Sequence, residues 1–516
     1  MRAVRAFAAA STLVLLVAVC SAPERAPDQT EVSEVDVPRI WNDRDLAGWA
    51  LPVAGLGVPP SLVGEKDYYA APIDNVRTYP VYHPSREPAG YRDWLRKQGP
   101  QPLIEPAKLR TKADWIEAGR RVFEQLDTPG SRSSDPAVIA QFSDAATVDK
   151  YIDETHDVMT ADGVIVDYRW VVDRDGTLQL SLSSCSGCHS RLMPDGTLLL
   201  GAPSNFDVSS SPAVDAMIGK LRLSESWSAG QSLYAEFGVP WVEGDVHEPF
   251  RTMSDEALGR FFAEESGEPP GTMFARFNGS PFYKTRMADL RGIAHRKYLD
   301  ATATHRHRST EDLARYCILV EYADCAVFGS HKFLPPEIDR VPRRPPDEAV
   351  YAMALFLESL EVPPSPHPFD DEAALGEQIF EAEGCGECHT PPHYTNNKLV
   401  AVPGFEPPFD DRATPRDDVS RRRVGTDPSL ALKTRKGTGY YKIPSLRGLW
   451  YRGLYSHDGS VASLEDWFDP KRLEEDYVPS GFRGPGVTRR AVPGHTFGHD
   501  LSAPDKRALI AFLKTL

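Results

Sequence analysis

Apolar positions along this chain repeat at helical spacing in several separate stretches. Trp115, Ala118, Val122 and Phe123 fall on one side of a predicted helix over 112–125. Val350, Met353, Ala354 and Phe356 do the same over 347–360, and that helix stops at Pro363-Pro364. Further helices are predicted near 91–97, over 253–264 and over 309–323. Asp371 starts another, which runs to Phe380. Ser502-Ala503-Pro504-Asp505 opens a last one through Leu513, with proline inside the first turn. Strand signals are fewer. Val164-Ile165-Val166 and Arg169-Trp170-Val171-Val172 lead to Asp175-Gly176, a hairpin turn pair, and then to Leu178-Gln179-Leu180. Asp195-Gly196 marks a second turn. Residues 23–110 are rich in proline and aromatic residues, too irregular for a helical unit, and read as an arm over the body.

The pattern predicts a mainly α protein with a few short β-hairpins. With 516 residues, more than one unit is expected. The boundaries fall at 1–22, 23–110, 111–362 and 363–516, the last at the proline-rich 363–368.

Two short strings carry the chemistry. Cys385-Gly386-Glu387-Cys388-His389 and Cys185-Ser186-Gly187-Cys188-His189 both have the form Cys-x-x-Cys-His, the attachment signal for c-type haem. Two thiols one helical turn apart add to the vinyl groups of one porphyrin, and the adjacent histidine gives a ring nitrogen to iron. With 7 Cys and 14 His, chance supplies roughly 0.003 such strings. Competing readings are a redox dithiol, a zinc site and an iron–sulfur cluster. A dithiol needs no following histidine, zinc ligands come in closer-spaced pairs, and a cluster wants four neighbouring thiolates. Two covalent haems, with His189 and His389 as iron ligands, fit best.

Net charge is −16, from 58 basic and 74 acidic residues. This argues against a nucleic-acid partner and fits a soluble surface or a basic electron carrier. Arg2, Arg5 and the apolar run Ala6–Val19 have the shape of an export signal, too short to span a bilayer comfortably. Leu16–Cys20 follows a lipoprotein box, with Val19 bulky where Gly or Ala is usual. The segment therefore fits either a lipid anchor at Cys20 or cleavage near Ala22, and places the protein in the periplasm or on a membrane facing it. Cys317 and Cys325 remain, too far apart to pair on one straight helix.

An internal repeat supports two related units. Tyr283-Lys284, Leu290-Arg291-Gly292-Ile293 and Arg296 are echoed by Tyr441-Lys442, Leu446-Arg447-Gly448-Leu449 and Arg452.

At Ile443-Pro444-Ser445-Leu446-Arg447-Gly448 and Ser456-His457-Asp458-Gly459-Ser460-Val461, followed by Leu464-Glu465, the chain resembles the di-haem cytochrome c peroxidases. It is similar also to their MauG-type and rubber-oxygenase relatives, the last of these closest in layout. The resemblance covers about 110–516. It implies two cytochrome c-type haem domains, one haem six-coordinate for electron storage and the other open to hydrogen peroxide or dioxygen. It also implies a small donor protein, a cytochrome or a cupredoxin. The family's distal methionine has no counterpart, because no Met follows Met353. Val492-Pro493-Gly494-His495 occupies its place, so the resemblance implies His495 as second ligand of the second haem, with His457 as the other candidate. His393 and His499 read as surface residues. The family's phenylalanine-tryptophan-aspartate-glycine segment after the first haem is missing, and no acid–base residue is assigned. His305 and His307 read as a lid, a ligand loop or a propionate patch. Arg291 and Arg447 read as propionate partners or as structural ion pairs, and one of Trp170, Trp241 or Trp450 as a stepping stone between haems. A peroxidase-like oxidoreductase is the leading expectation. A haem dioxygenase cleaving a hydrophobic alkene or polymer, and an electron carrier without catalysis, are the alternatives.

Overall fold

The computed structural model describes residues 37–128, 130–155, 158–206, 226–265, 271–273, 279–323, 327–334, 341–408 and 414–516. The expected export segment, Cys20 and Cys325 lie outside them. Helices outweigh strands, and the strands form sheets of two or three. No helix among the described residues is long and apolar enough to cross a membrane.

Two helix crossings organise the chain, and the same residue types build both. Helix Lys112–Gln125 packs on Asp347–Ser359, and helix Asp371–Ala382 packs on Ala503–Thr515. Each pair meets at a glycine. A Cβ on Gly119 would lie 1.9 Å from the Ala352 carbonyl oxygen and 2.9 Å from Phe356 Cβ. A Cβ on Gly376 would lie 1.9 Å from the Ala508 oxygen and 2.8 Å from Phe512 Cβ. Only a residue without a side chain lets the backbones come this close. Phe123 and Phe380, one turn further on, are buried beside them. Thr111 caps the first helix in a reciprocal capping box with Asp114, and Ser502 caps the last. The 371–382 helix is capped by Asp370, one residue before the expected Asp371.

The hairpin forms as Val164–Val172 against Leu178–Leu182. Its outer partner is Thr78–Tyr82, from the stretch expected to be an irregular arm. The arm is bound elsewhere too. Ile40, Trp41 and Trp49 are buried in the same core as Trp115, Ile318 and Phe356. Arg315, buried in helix Thr310–Glu321, donates to the Ile40 carbonyl (2.7 Å) and to Asp45 (2.9 Å).

The internal repeat persists as backbone conformation. Gly292 and Gly448 are both left-handed, at φ +69° and +79°. Leu299 pairs with His305 just as Tyr455 pairs with Val461. Positive φ recurs at Asp300 and Ser456, and again at Ala303 and Gly459.

Candidate functional site

Each cysteine motif sits where its preceding element delivers it. Strand Leu178–Leu182 leads through Ser183 and Ser184 into the turn Cys185–Cys188. The Ser183 amide donates to the Asp167 carbonyl (2.8 Å) and the Ser184 amide to the Leu126 carbonyl (3.0 Å), tying the turn to sheet and helix. Gly187 is required by the sheet: a Cβ there would meet Asp167 Oδ1 at 2.3 Å. The second motif follows helix Asp371–Ala382 through left-handed Gly384. So the first motif is reached from a hairpin and the second from a helix, as the sequence suggests.

Both motifs open into one cavity of about 460 Å³, a size within the range of cofactor pockets. Cys185, Cys188 and His189 line it together with Cys385, Cys388 and His389. The histidines of the two motifs are oriented alike. His189 Nδ1 lies 2.9 Å from the Ala288 carbonyl oxygen. His389 Nδ1 lies 3.2 Å from the carbonyl oxygens of Tyr394 and Pro444. Ala288 and Pro444 are equivalent in the repeat, each two residues before the Leu-Arg-Gly string. A carbonyl can only accept, so Nδ1 carries the proton and Nε2 keeps its lone pair for a metal. Burial pushes His389 down to about 4, which keeps it neutral.

His495 stands across from His389, with ring centres 6.3 Å apart. Two nitrogen–metal bonds of about 2 Å, plus the ring-centre-to-nitrogen distance on each side, add to roughly 6 Å. The spacing is that of two imidazoles that would share one iron. Burial, and then His389, lower His495 to about 3, so it too is neutral. Its backbone is left-handed at φ +49°, a strained state for a residue with a side chain and one that proteins keep where function requires it. Arg472 holds the loop in that state. It is buried and donates to the carbonyls of Val492 (2.5 Å), Gly494 (2.8 Å) and His495 (2.8 Å). Nothing in the sequence around Arg472 signals this role.

The other histidines are placed elsewhere. His457 lines the cavity but stacks on Tyr441, with ring centres 4.2 Å apart. His305 packs on Trp49 of the arm (4.2 Å), and His307 bonds the Arg296 carbonyl (3.0 Å) and faces Glu358 (3.4 Å); neither lines the cavity. His499, expected on the surface, is buried against Arg472 (3.1 Å). His393 stacks on His295 at 3.8 Å. Arg291 donates to the carbonyls of Glu361 and Leu200, and Arg447 lies 3.5 Å from the Pro392 carbonyl oxygen. Both tie backbone rather than line the cavity. Trp170, Trp241 and Trp450 do not line it either; Trp467 does, 5.1 Å from His495.

On the side of the first motif the wall is helix Thr310–Glu321, through Leu313, Tyr316, Cys317 and Val320, with Leu357 beside it. Tyr316 donates to Asp300 Oδ2 (2.8 Å), which also holds Lys436 Nζ at 2.9 Å. Burial alone would raise the Asp300 carboxyl, but Lys436 and the donated hydrogen bonds bring it down to about 2. The Cys317 thiol is pushed up to about 12 by burial and stays protonated. The donor set, one cysteine pair and one histidine at each end of a mainly apolar cavity, fits two covalently held haems.

No family model matches the chain. It is similar to the methylamine utilization protein MauG of Methylorubrum extorquens, 27% identical over 175 residues. That match covers 32% of this chain and 42% of the relative, so less than half of MauG is spanned. Among solved structures, hydrazine synthase of Kuenenia stuttgartiensis is 17% identical, covering 58% of this chain and 92% of that one, with a TM-score of 0.28. A MauG-like protein associated with microbial copper homeostasis is 17% identical, covering 49% and 79%, with a TM-score of 0.29. The diheme peroxidase BthA from Burkholderia thailandensis is 19% identical, covering 33% and 51%, with a TM-score of 0.20. Scores this low do not establish a shared overall fold.

Proposed function

We propose that this chain is a member of the MauG and di-haem peroxidase superfamily and an exported di-haem oxidoreductase. In this reading residues 111–362 and 363–516 are two cytochrome c-type units. Cys185, Cys188 and His189 hold one haem, and Cys385, Cys388, His389 and His495 hold the other. A haem supplies one-electron chemistry and, where a face is open, a place for a small oxidant. The chain's own part is to fix the ring positions, keep His389 neutral and exclude water from the space between the haems.

The observation that carries the reading is the cavity shared by both motifs, with His495 set across from His389. On this basis the second haem is the electron store. Two imidazoles give it a lower potential than a methionine–histidine pair. The first haem is the reacting one, under the mostly apolar wall of Leu313, Cys317 and Val320, with Tyr316 as the hydroxyl on that wall. Peroxide or dioxygen is the oxidant, and a small cytochrome or cupredoxin the electron donor.

The test is electron paramagnetic resonance on the purified holoprotein. One low-spin and one high-spin ferric signal are expected, with cyanide converting only the high-spin one. Two low-spin signals that ignore cyanide would sink the proposal. The paired histidines 389 and 495 also favour a second reading, an oxygenase of the rubber-oxygenase type. Oxygen uptake with cleavage of polyisoprene, without peroxide, would select it over the first.

A further inference from the structure

Where the two repeats face each other, the cavity wall carries more positive charge than the protein itself neutralises. Arg286 and Arg296 come from the first repeat and Lys442 from the second, and all three line the cavity. Arg286 Nε is buried and has no hydrogen-bond partner. Arg296 Nη2 donates to the Arg291 carbonyl (2.9 Å) and Lys442 Nζ to the Tyr298 carbonyl (3.2 Å). None of the three has a carboxylate at ion-pair distance among the described residues.

The nearby carboxylates are already engaged. Asp289 acts on both arginines, but its Oδ2 accepts from Arg452 Nε and Tyr451 Oη, each at 2.9 Å. Asp300 acts on Lys442 and is held by Lys436 and Tyr316. Burial lowers Arg286 and Arg296 to about 10, and Lys442 to about 7. Partly buried cations without a counter-charge are costly, and an anion that arrives with a ligand would answer them. The rest of the cavity is mainly apolar and ends in two thioether-forming motifs. The fitting ligand is a flat apolar ring with carboxylates on one edge.

We propose that Arg286, Arg296 and Lys442 form one carboxylate-binding locus, built from both repeats, that takes porphyrin propionates where the two haems approach each other. The inference rests on the two-haem reading above. It gives the locus two tasks. It fixes the porphyrin edges toward each other, and it cancels propionate charge that would otherwise favour ferric iron. Loss of a cation there therefore lowers a haem potential.

The test uses Arg286→Gln, Arg286→Lys and Lys442→Met as holoproteins, with intact mass, spectroelectrochemical titration and resonance Raman. Both neutral variants are expected to retain the mass of two haems. The midpoint potential of at least one haem falls, by about tenfold in its one-electron reduction constant or about 59 mV. The propionate bending band shifts, and Arg286→Lys recovers most of the loss. Variants that carry two haems with wild-type potentials and an unmoved band overturn the locus and leave the two-haem reading standing. A wild-type protein lacking haem mass overturns both. Should Arg286→Gln fail to accumulate, Lys442→Met and Arg286→Lys are judged by the same band and potentials.

Discussion

Adding one methyl group at Gly376 tests how the second helix crossing is built. The new Cβ would sit 1.9 Å from the Ala508 oxygen and 2.6 Å from its carbonyl carbon. Both are backbone atoms, so no side chain can swing aside. Ordinary contact begins at 3.4 Å, and the helices must part or slide by more than an ångström. A radial gap of only about 0.5–1 Å already forfeits a quarter to a half of the dispersion energy across an interface. Phe380, Leu509, Phe512 and Leu513 are buried there, each contributing about 2 kcal/mol. The loss is then about 2–4 kcal/mol, offset by about 1 kcal/mol of helix propensity gained over glycine. Gly376→Ala should destabilise the protein by about 1–3 kcal/mol, the usual range for overpacking. Denaturant unfolding of the holoprotein, followed at the haem band, should show a lower midpoint at unchanged slope. A midpoint that stays or rises would mean that propensity outweighs packing and that the close approach is not structural. Gly119→Ala should behave alike, because its Cβ meets the Ala352 oxygen at the same 1.9 Å.

Three other outcomes follow. His495→Ala should turn the low-spin ferric signal of the second haem into a high-spin one while both haems stay attached, measured by resonance and intact mass; an unchanged low-spin signal would assign the ligand elsewhere. Asp289→Asn removes the buried carboxylate bonded to Arg452 and Tyr451, and should cost about 3–5 kcal/mol in unfolding free energy. Asp300 has a folded-state value of about 2 against 3.8 ordinarily, so its stabilisation, about 2 kcal/mol, is complete above pH 4 and lost as pH falls toward 2. Asp300→Asn should remove that part of the acid dependence, which stability curves at pH 5 and pH 2.5 would reveal.

Local spacing along the chain settles whatever depends on neighbours in sequence. Two cysteines and a histidine on one turn predict a haem-attachment site wherever the turn ends up. The faces of helices 112–125, 347–359 and 503–515 follow from apolar periodicity, and the start of the last from Ser502 with proline in its first turn. The resemblance to the di-haem peroxidases, read with the absence of methionine after Met353, already directs attention to His495.

Tertiary contact decided the rest, because those features join positions with no sequence relation. The arm could not be read as ordered, since Thr78–Tyr82 gains its partner only from Val164–Val172. Gly187 serves the sheet through Asp167, which spacing within the motif does not reveal. His495 stands opposite His389 because buried Arg472 gathers three carbonyls from 492–495. The unneutralised charge of Arg286, Arg296 and Lys442 emerges only when two repeats, distant in the chain, share one wall. Periodicity records which face of a segment is buried. What that face meets, and which charges remain unpaired there, is fixed by the packing of segments far apart in sequence.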